Sequence, residues 1–165
     1  MFWGFNGTDI AKSLEESGVI LDTSICQYFQ GMFQNAKCNR VPTLDFSKAY
    51  ANSSGALSYI FSGSQIETID KIIVAEGGMF NNSFNNCSNL TNVIFEGIIS
   101  TNGLNLQWST KLSKASIESI INCLSTNTSG LSITLSKTAV DNAFTNNEEW
   151  ESLIATKENW TINLI

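Results

Sequence analysis

The chain has 165 residues, of which 15% are charged and 42% hydrophobic, with a formal net charge of −6 and no histidine. A chain of this length buries enough apolar surface to fold without a metal or disulfide scaffold, and the lack of His removes Ser-His, Cys-His and His-ligated zinc chemistry. The nine basic residues are scattered from Lys12 to Lys157, so there is no basic stripe to neutralise phosphates, and direct nucleic-acid binding is not expected.

Ser (21), Thr (14) and Asn (19) supply 54 of the 165 residues, an uncharged polar surplus suited to turns and short strands. The amino terminus has neither the basic nor the long apolar region of a secretory signal. The longest charge-free stretch, residues 77–95, is too rich in Asn and Ser to lie in hydrocarbon, so no membrane span is expected. Cys26, Cys38, Cys87 and Cys123 have no C-x-x-C or zinc spacing and read as buried free thiols.

In chain order, residues 8–17 predict a helix leading into a strand at Val19 to Thr23. Three segments then overlay on one another: Phe33 to Phe46, Phe61 to Val74 and Phe84 to Phe95. Each begins with Phe. Apolar residues follow at Cys38, Ile66 and Leu90, then at Val41, Ile69 and Val93, and each segment closes on a β-rich run. The Phe-to-Phe spacings of 28 and 23 fall in or near the range of repeats that make one short strand and one return each. Gly77-Gly78 lacks the Lys of a phosphate loop and reads as a repeat turn.

Residues 103–108 read as a strand, and residues 113–124, apolar at 117, 120, 121 and 124, as a helix. Residues 131–136 alternate as a strand, residues 137–157 supply a second helical return, and residues 160–165 alternate again. Glu148, Glu149 and Glu151 mark a helix start, where carboxylates complement the dipole.

About seven strands separated by returns too long for hairpins should be parallel. The expected fold class is α/β: a short right-handed leucine-rich-repeat solenoid with one parallel sheet, irregular returns in the middle and helical returns at both ends. The chain reads as one domain, residues 1–165, comprising an N-terminal helix and strand (1–30), irregular repeats (31–103) and helix-containing repeats (104–165). Leu21, Leu44, Ile72, Val93, Leu104, Ile133 and Ile162 would form one inward ladder. Asp22, Asp45, Ile73, Ile94 and Asn105 would then point outward, beside Lys71 and Glu96. These seven outward residues form the expected binding surface, because two exposed Ile on adjacent rungs are costly unless a partner covers them.

The stretch from Phe84 to Gly97 resembles the BspA-type leucine-rich repeat of bacterial surface proteins. The longer pattern, through residues 18–22, 69–76, 106–113 and 119–124, is similar to repeat proteins encoded by phages and prophages of gut bacteria. The resemblance implies a scaffold for protein or glycan contact with no catalytic motif, hence no enzyme activity, no cofactor and no metal. A protein partner or a cell-surface ligand is expected, with the chain in the host cytoplasm or associated with a virion. The alternative is an inhibitor of a host enzyme, such as a CRISPR-type defence nuclease, whose basic channel an acidic surface could occupy. The Asn-x-Ser/Thr matches at Asn6, Asn52, Asn81, Asn86, Asn89, Asn127 and Asn159 follow from composition. Trp3, Trp108, Trp150 and Trp160 read as core packing rather than sugar platforms.

Overall fold

A computed structural model describes residues 4, 6, 7, 9–51, 53 and 55–165, so expectations for Trp3, Thr8 and Asn52 lie outside the described residues. The described chain is mixed α/β, with four helices and parallel strand pairing throughout. In order, the elements are α1 (Ile10–Ser17), β1 (Arg40–Val41), β2 (Leu44–Asp45), β3 (Thr68–Val74), β4 (Asn92–Gly97), β5 (Asn105–Leu106), α2 (Lys114–Cys123), β6 (Leu131–Leu135), α3 (Lys137–Ala143), α4 (Asn147–Ala155) and β7 (Trp160–Leu164).

Local chemistry sets the helix ends. Asp9 accepts from the Lys12 amide at 2.8 Å to start α1, and Gly18 at φ +66° ends it. Ser113, Ser136 and Asn146 cap α2, α3 and α4, with Glu148 and Glu149 in the first turn of α4 as expected. The single return expected over residues 137–157 is split into α3 and α4, with Phe144 to Asn146 between them. Residues 19–23, expected as a strand, are irregular. The Thr23 hydroxyl takes the place of a backbone partner, accepting from the Asp45 amide at 2.7 Å.

The overlay of three repeats corresponds to real stacking. Phe33 lies on Phe61 at 5.8 Å between ring centroids, and Phe61 lies on Phe84 at 5.2 Å. Cys38, Ile66 and Leu90 are all buried, as are Val41, Ile69 and Val93. Each return also places a left-handed residue two positions before the Phe (Gly31, Tyr59, Asn82) and another two after it (Asn35, Gly63, Asn86). The returns are bonded to one another through the backbone: Gly31 N to Ser58 O at 3.0 Å, Phe33 N to Ile60 O at 2.7 Å, Tyr59 N to Asn81 O at 3.1 Å and Phe61 N to Ser83 O at 2.9 Å. The repeats therefore have two hydrogen-bonded walls, one of strands (β1 to β4) and one of turns.

The single sheet expected from the sequence is replaced by two. β1, β2, β3 and β4 form one sheet, and β5, β6 and β7 form the other. The cause lies at α2, which occupies the position beside β4 where the next strand was expected. The Ser116 and Ser119 hydroxyls accept from the Val93 and Phe95 amides at 2.9 and 3.1 Å, and Ser113 N donates to Thr91 O at 2.8 Å. β5 instead succeeds the wall of turns: Gly103 abuts Asn81, and the Ser109 hydroxyl donates to Cys87 O at 3.1 Å. From that point on, strands and returns exchange walls. Leu104, Ile133 and Ile162 thus do not continue the ladder of Leu44 and Ile72. A register shift between Ile69 and Ile72 further pairs Ile72 with Phe95 and Ile73 with Glu96, rather than with Val93 and Ile94.

One buried apolar cluster runs from Ile10 to Trp160 and includes Trp150. Lys157 crosses to the end of α2, where its ammonium donates to Asn122 O and Leu124 O at 3.1 and 2.6 Å. Among the described residues, no helix is long and apolar enough to cross a membrane.

Candidate functional site

Six of the seven residues expected at a binding surface lie on or beside the β1–β4 wall. Asp45, Ile73 and Glu96 share one rung through their strand pairings. Lys71 reaches across to Glu96 at 2.7 Å. Asp22 sits in the irregular segment before β1; its carboxylate accepts from the Ser24 hydroxyl and amide, which holds its pKa below the ordinary value. Asp45 accepts from the Ser47 amide in the same way at 2.7 Å.

Ile73 and Ile94, expected to be exposed on adjacent rungs, are only half exposed and are not paired with each other. The bulge in β3 is the reason, since it moves the partner of Ile73 from Ile94 to Glu96. This wall also carries an ion pair that the sequence reading missed. Arg40 holds Asp70 through Nε to Oδ1 at 2.7 Å and a second nitrogen to Oδ2 at 2.9 Å, and these bonds raise the guanidinium pKa. Its charges are thus largely spent on one another.

Asn105, the seventh residue, is on the other wall, and there it joins a different constellation. A hollow of about 620 Å³ opens across the turns and β5–β6. Five successive units each contribute a polar side chain to it: Gln30, Tyr59, Asn82, Asn105 and Thr134. Asn105 and Thr134 are directly paired across β5 and β6. The Asn82 amide donates to the Tyr59 hydroxyl at 3.3 Å and accepts from Asn85 at 3.0 Å, so the Tyr59 side chain is held from its tip. Asn105 spends its oxygen on the Gln107 amide at 3.0 Å and so presents its nitrogen. The hollow depends on glycine at position 103, where φ is +105° and a Cβ would run into the Asn81 amide. Among the described residues, no charged one lines it.

Tyr59 is the notable residue here. Its φ of +57° places a bulky side chain in the left-handed region, where the equivalent positions carry Gly31 and Asn82. The side chain is 40% exposed at the hollow. The overlay of the repeats begins at Phe33, Phe61 and Phe84 and so stops short of this position; extended two residues toward the amino terminus, it would set Tyr59 against Gly31 and Asn82.

Trp108, expected in the core, is 47% exposed, whereas Trp150 and Trp160 are buried. Of the four cysteines, all free, Cys38 and Cys87 are buried and Cys123 half buried, while Cys26 is exposed against expectation, since residues 19–28 never enter a strand. Burial pushes the Cys38 and Cys87 thiols up to about 11, and that of Cys123 upward. Gly77 has φ +81°, and its amide donates to the Ser100 hydroxyl at 3.0 Å, in a turn between successive units. Among the described residues, no cluster of three or more Cys, Asp or Glu side chains is placed to hold a metal ion. Comparison of the chain with protein-family models, with curated proteins and with solved structures gave no match.

Proposed function

We propose that the chain is a non-catalytic binding module, a short leucine-rich-repeat solenoid of the BspA type from a phage, prophage or bacterium, whose ligand seats in the hollow around Tyr59. The observation that carries this reading is the conformation of Tyr59. A non-glycine residue in the left-handed region costs about 1–2 kcal/mol, and Gly31 and Asn82 stand where that cost is small. A strained backbone that carries an aromatic side chain to the lip of a polar hollow is the kind of feature that ligand contact maintains. The solenoid reading is supported by the hydrogen bonds that join successive returns and by the stacked Phe33, Phe61 and Phe84.

The partner is a protein or a cell-surface ligand. The alternative of an inhibitor that fills a basic nuclease channel draws less support, because Glu15, Asp70, Glu96, Asp141 and Glu149 each already face a cation of the same chain. The sheet-side residues Lys71, Ile73, Ile94 and Glu96 become the comparison surface.

The test is binding of the fluorescent full chain to a panel of gut bacterial cells, read by flow cytometry. Glycine adopts the φ of residue 59 without strain, so Tyr59→Gly should keep the fold and lower cell binding at least about tenfold, a difference of about 1.4 kcal/mol. Ile73→Ser with Ile94→Ser should bind as the parent does. Undiminished binding of a folded Tyr59→Gly chain, with loss in the Ile pair, would return the site to the sheet.

A further inference from the structure

We propose that the ligand of this hollow is a neutral oligosaccharide, an inference that rests on the hollow being the binding site. The first argument is charge. Among the described residues, no Asp, Glu, Lys or Arg lines the surface, so an anionic or cationic ligand would lose its hydration and gain no counter-charge. The second is backbone availability. The lining amides of Tyr59 and Thr134 already donate to Asn81 O and Leu104 O, so they are not offered to the backbone of an extended peptide.

The third argument is the match of functional groups. Side-chain amides and hydroxyls offer donors and acceptors side by side, as the adjacent hydroxyls of a sugar require. Gln30, Asn82, Asn105 and Thr134 supply such groups at intervals set by the stacking of the units. The Tyr59 ring adds a flat apolar face with a wet edge, fixed by the Asn82 bond to its hydroxyl. A volume of about 620 Å³ is in the range of pockets that enclose small organic ligands and suits a short chain of sugar rings.

The experiment is a titration of the isotope-labelled full chain, followed by two-dimensional amide NMR, with maltotriose, cellotriose, mannotriose and chitotriose as neutral probes and sialyllactose as an anionic one. At least one neutral trisaccharide should shift the amides of Tyr59, Asn82 and Asn105 saturably. Tyr59→Phe, which keeps the ring, should bind that sugar within about threefold of the parent, and Tyr59→Gly should bind it at least about tenfold more weakly. Response to sialyllactose alone, or to none of the probes, overturns the assignment to neutral sugars, as does equal binding by Tyr59→Gly. The two readings separate cleanly. If cell binding falls in Tyr59→Gly while no neutral sugar shifts the spectrum, the hollow stands and its sugar ligand does not; if cell binding is also unchanged, both fail.

Discussion

At the scale of single residues, the four thiols show how one residue type acquires different chemistry from its surroundings. Cys26 is exposed, Cys123 half buried, and Cys38 and Cys87 are sealed in the core with pKa values pushed up to about 11. A disulfide reagent at pH 8 should therefore label Cys26 fast and reach Cys38 and Cys87 only on unfolding; fast labelling of either core thiol in the native protein would contradict their placement. The same shifts carry a pH dependence. Unfolded, these thiols lose their protons near 9, whereas folded they keep them to about 11. Their contribution to stability is thus whole below pH 9 and is lost as pH rises toward 11. The melting temperature should fall over that interval, and less steeply in Cys38→Ala with Cys87→Ala. The burial of Cys38 was legible in the sequence, since the overlay put it in register with Ile66 and Leu90. The exposure of Trp108 was not, because strand parity describes a side chain only while the strand lasts, and β5 ends at Leu106.

At the scale of elements, the decisive feature is a helix standing where a strand was expected. The outer amides of β4 would be orphaned there, and two serine hydroxyls of α2 satisfy them. Removing both, as Ser116→Ala with Ser119→Ala, should cost about 1–3 kcal/mol for each amide left without a partner. Chemical denaturation measures this, and a cost no larger than that of Ser152→Ala, an exposed serine, would mean that water replaces the hydroxyls. The helix of residues 113–124 and the strand character of residues 104–106 were both readable from periodicity. Which wall each would join was not, because an alternating Leu-Asn-Leu satisfies either wall equally. Only the hydrogen bonds to Thr91, Val93 and Cys87 distinguish them. The shift in β3 was hidden for a similar reason: Ile72 and Ile73 are both apolar, so the sequence pattern survives a change of partner.

At the scale of the whole molecule, the exchange of walls does not interrupt the core, which continues from Phe84 and Phe95 into Leu106, Ile117 and Ile121. Unfolding should therefore be one cooperative step, with the helical circular-dichroism signal and the exposure of Cys38 and Cys87 showing the same midpoint. Two separate midpoints would place a boundary between β4 and α2. The mixed α/β class and the parallel pairing were readable in advance from the lengths of the returns. The hollow was not, because it is assembled from residues of five units and no local stretch of sequence contains it.

The exchange of walls also bears on shape. Strands sit about 4.8 Å apart, whereas helices need about 10 Å. From Phe29 to Phe95 successive units are joined backbone to backbone on both walls, strands on one and turns on the other, so neither wall has to make room for a helix. Beyond β4 each layer is a wedge, thick on the side of α2 and α4 and thin on the side of β5, β6 and β7. The hollow around Tyr59 draws its lining from both regions, Tyr59 and Asn82 from the turns and Asn105 and Thr134 from β5 and β6, so a ligand seated there would rest on two kinds of layer at once.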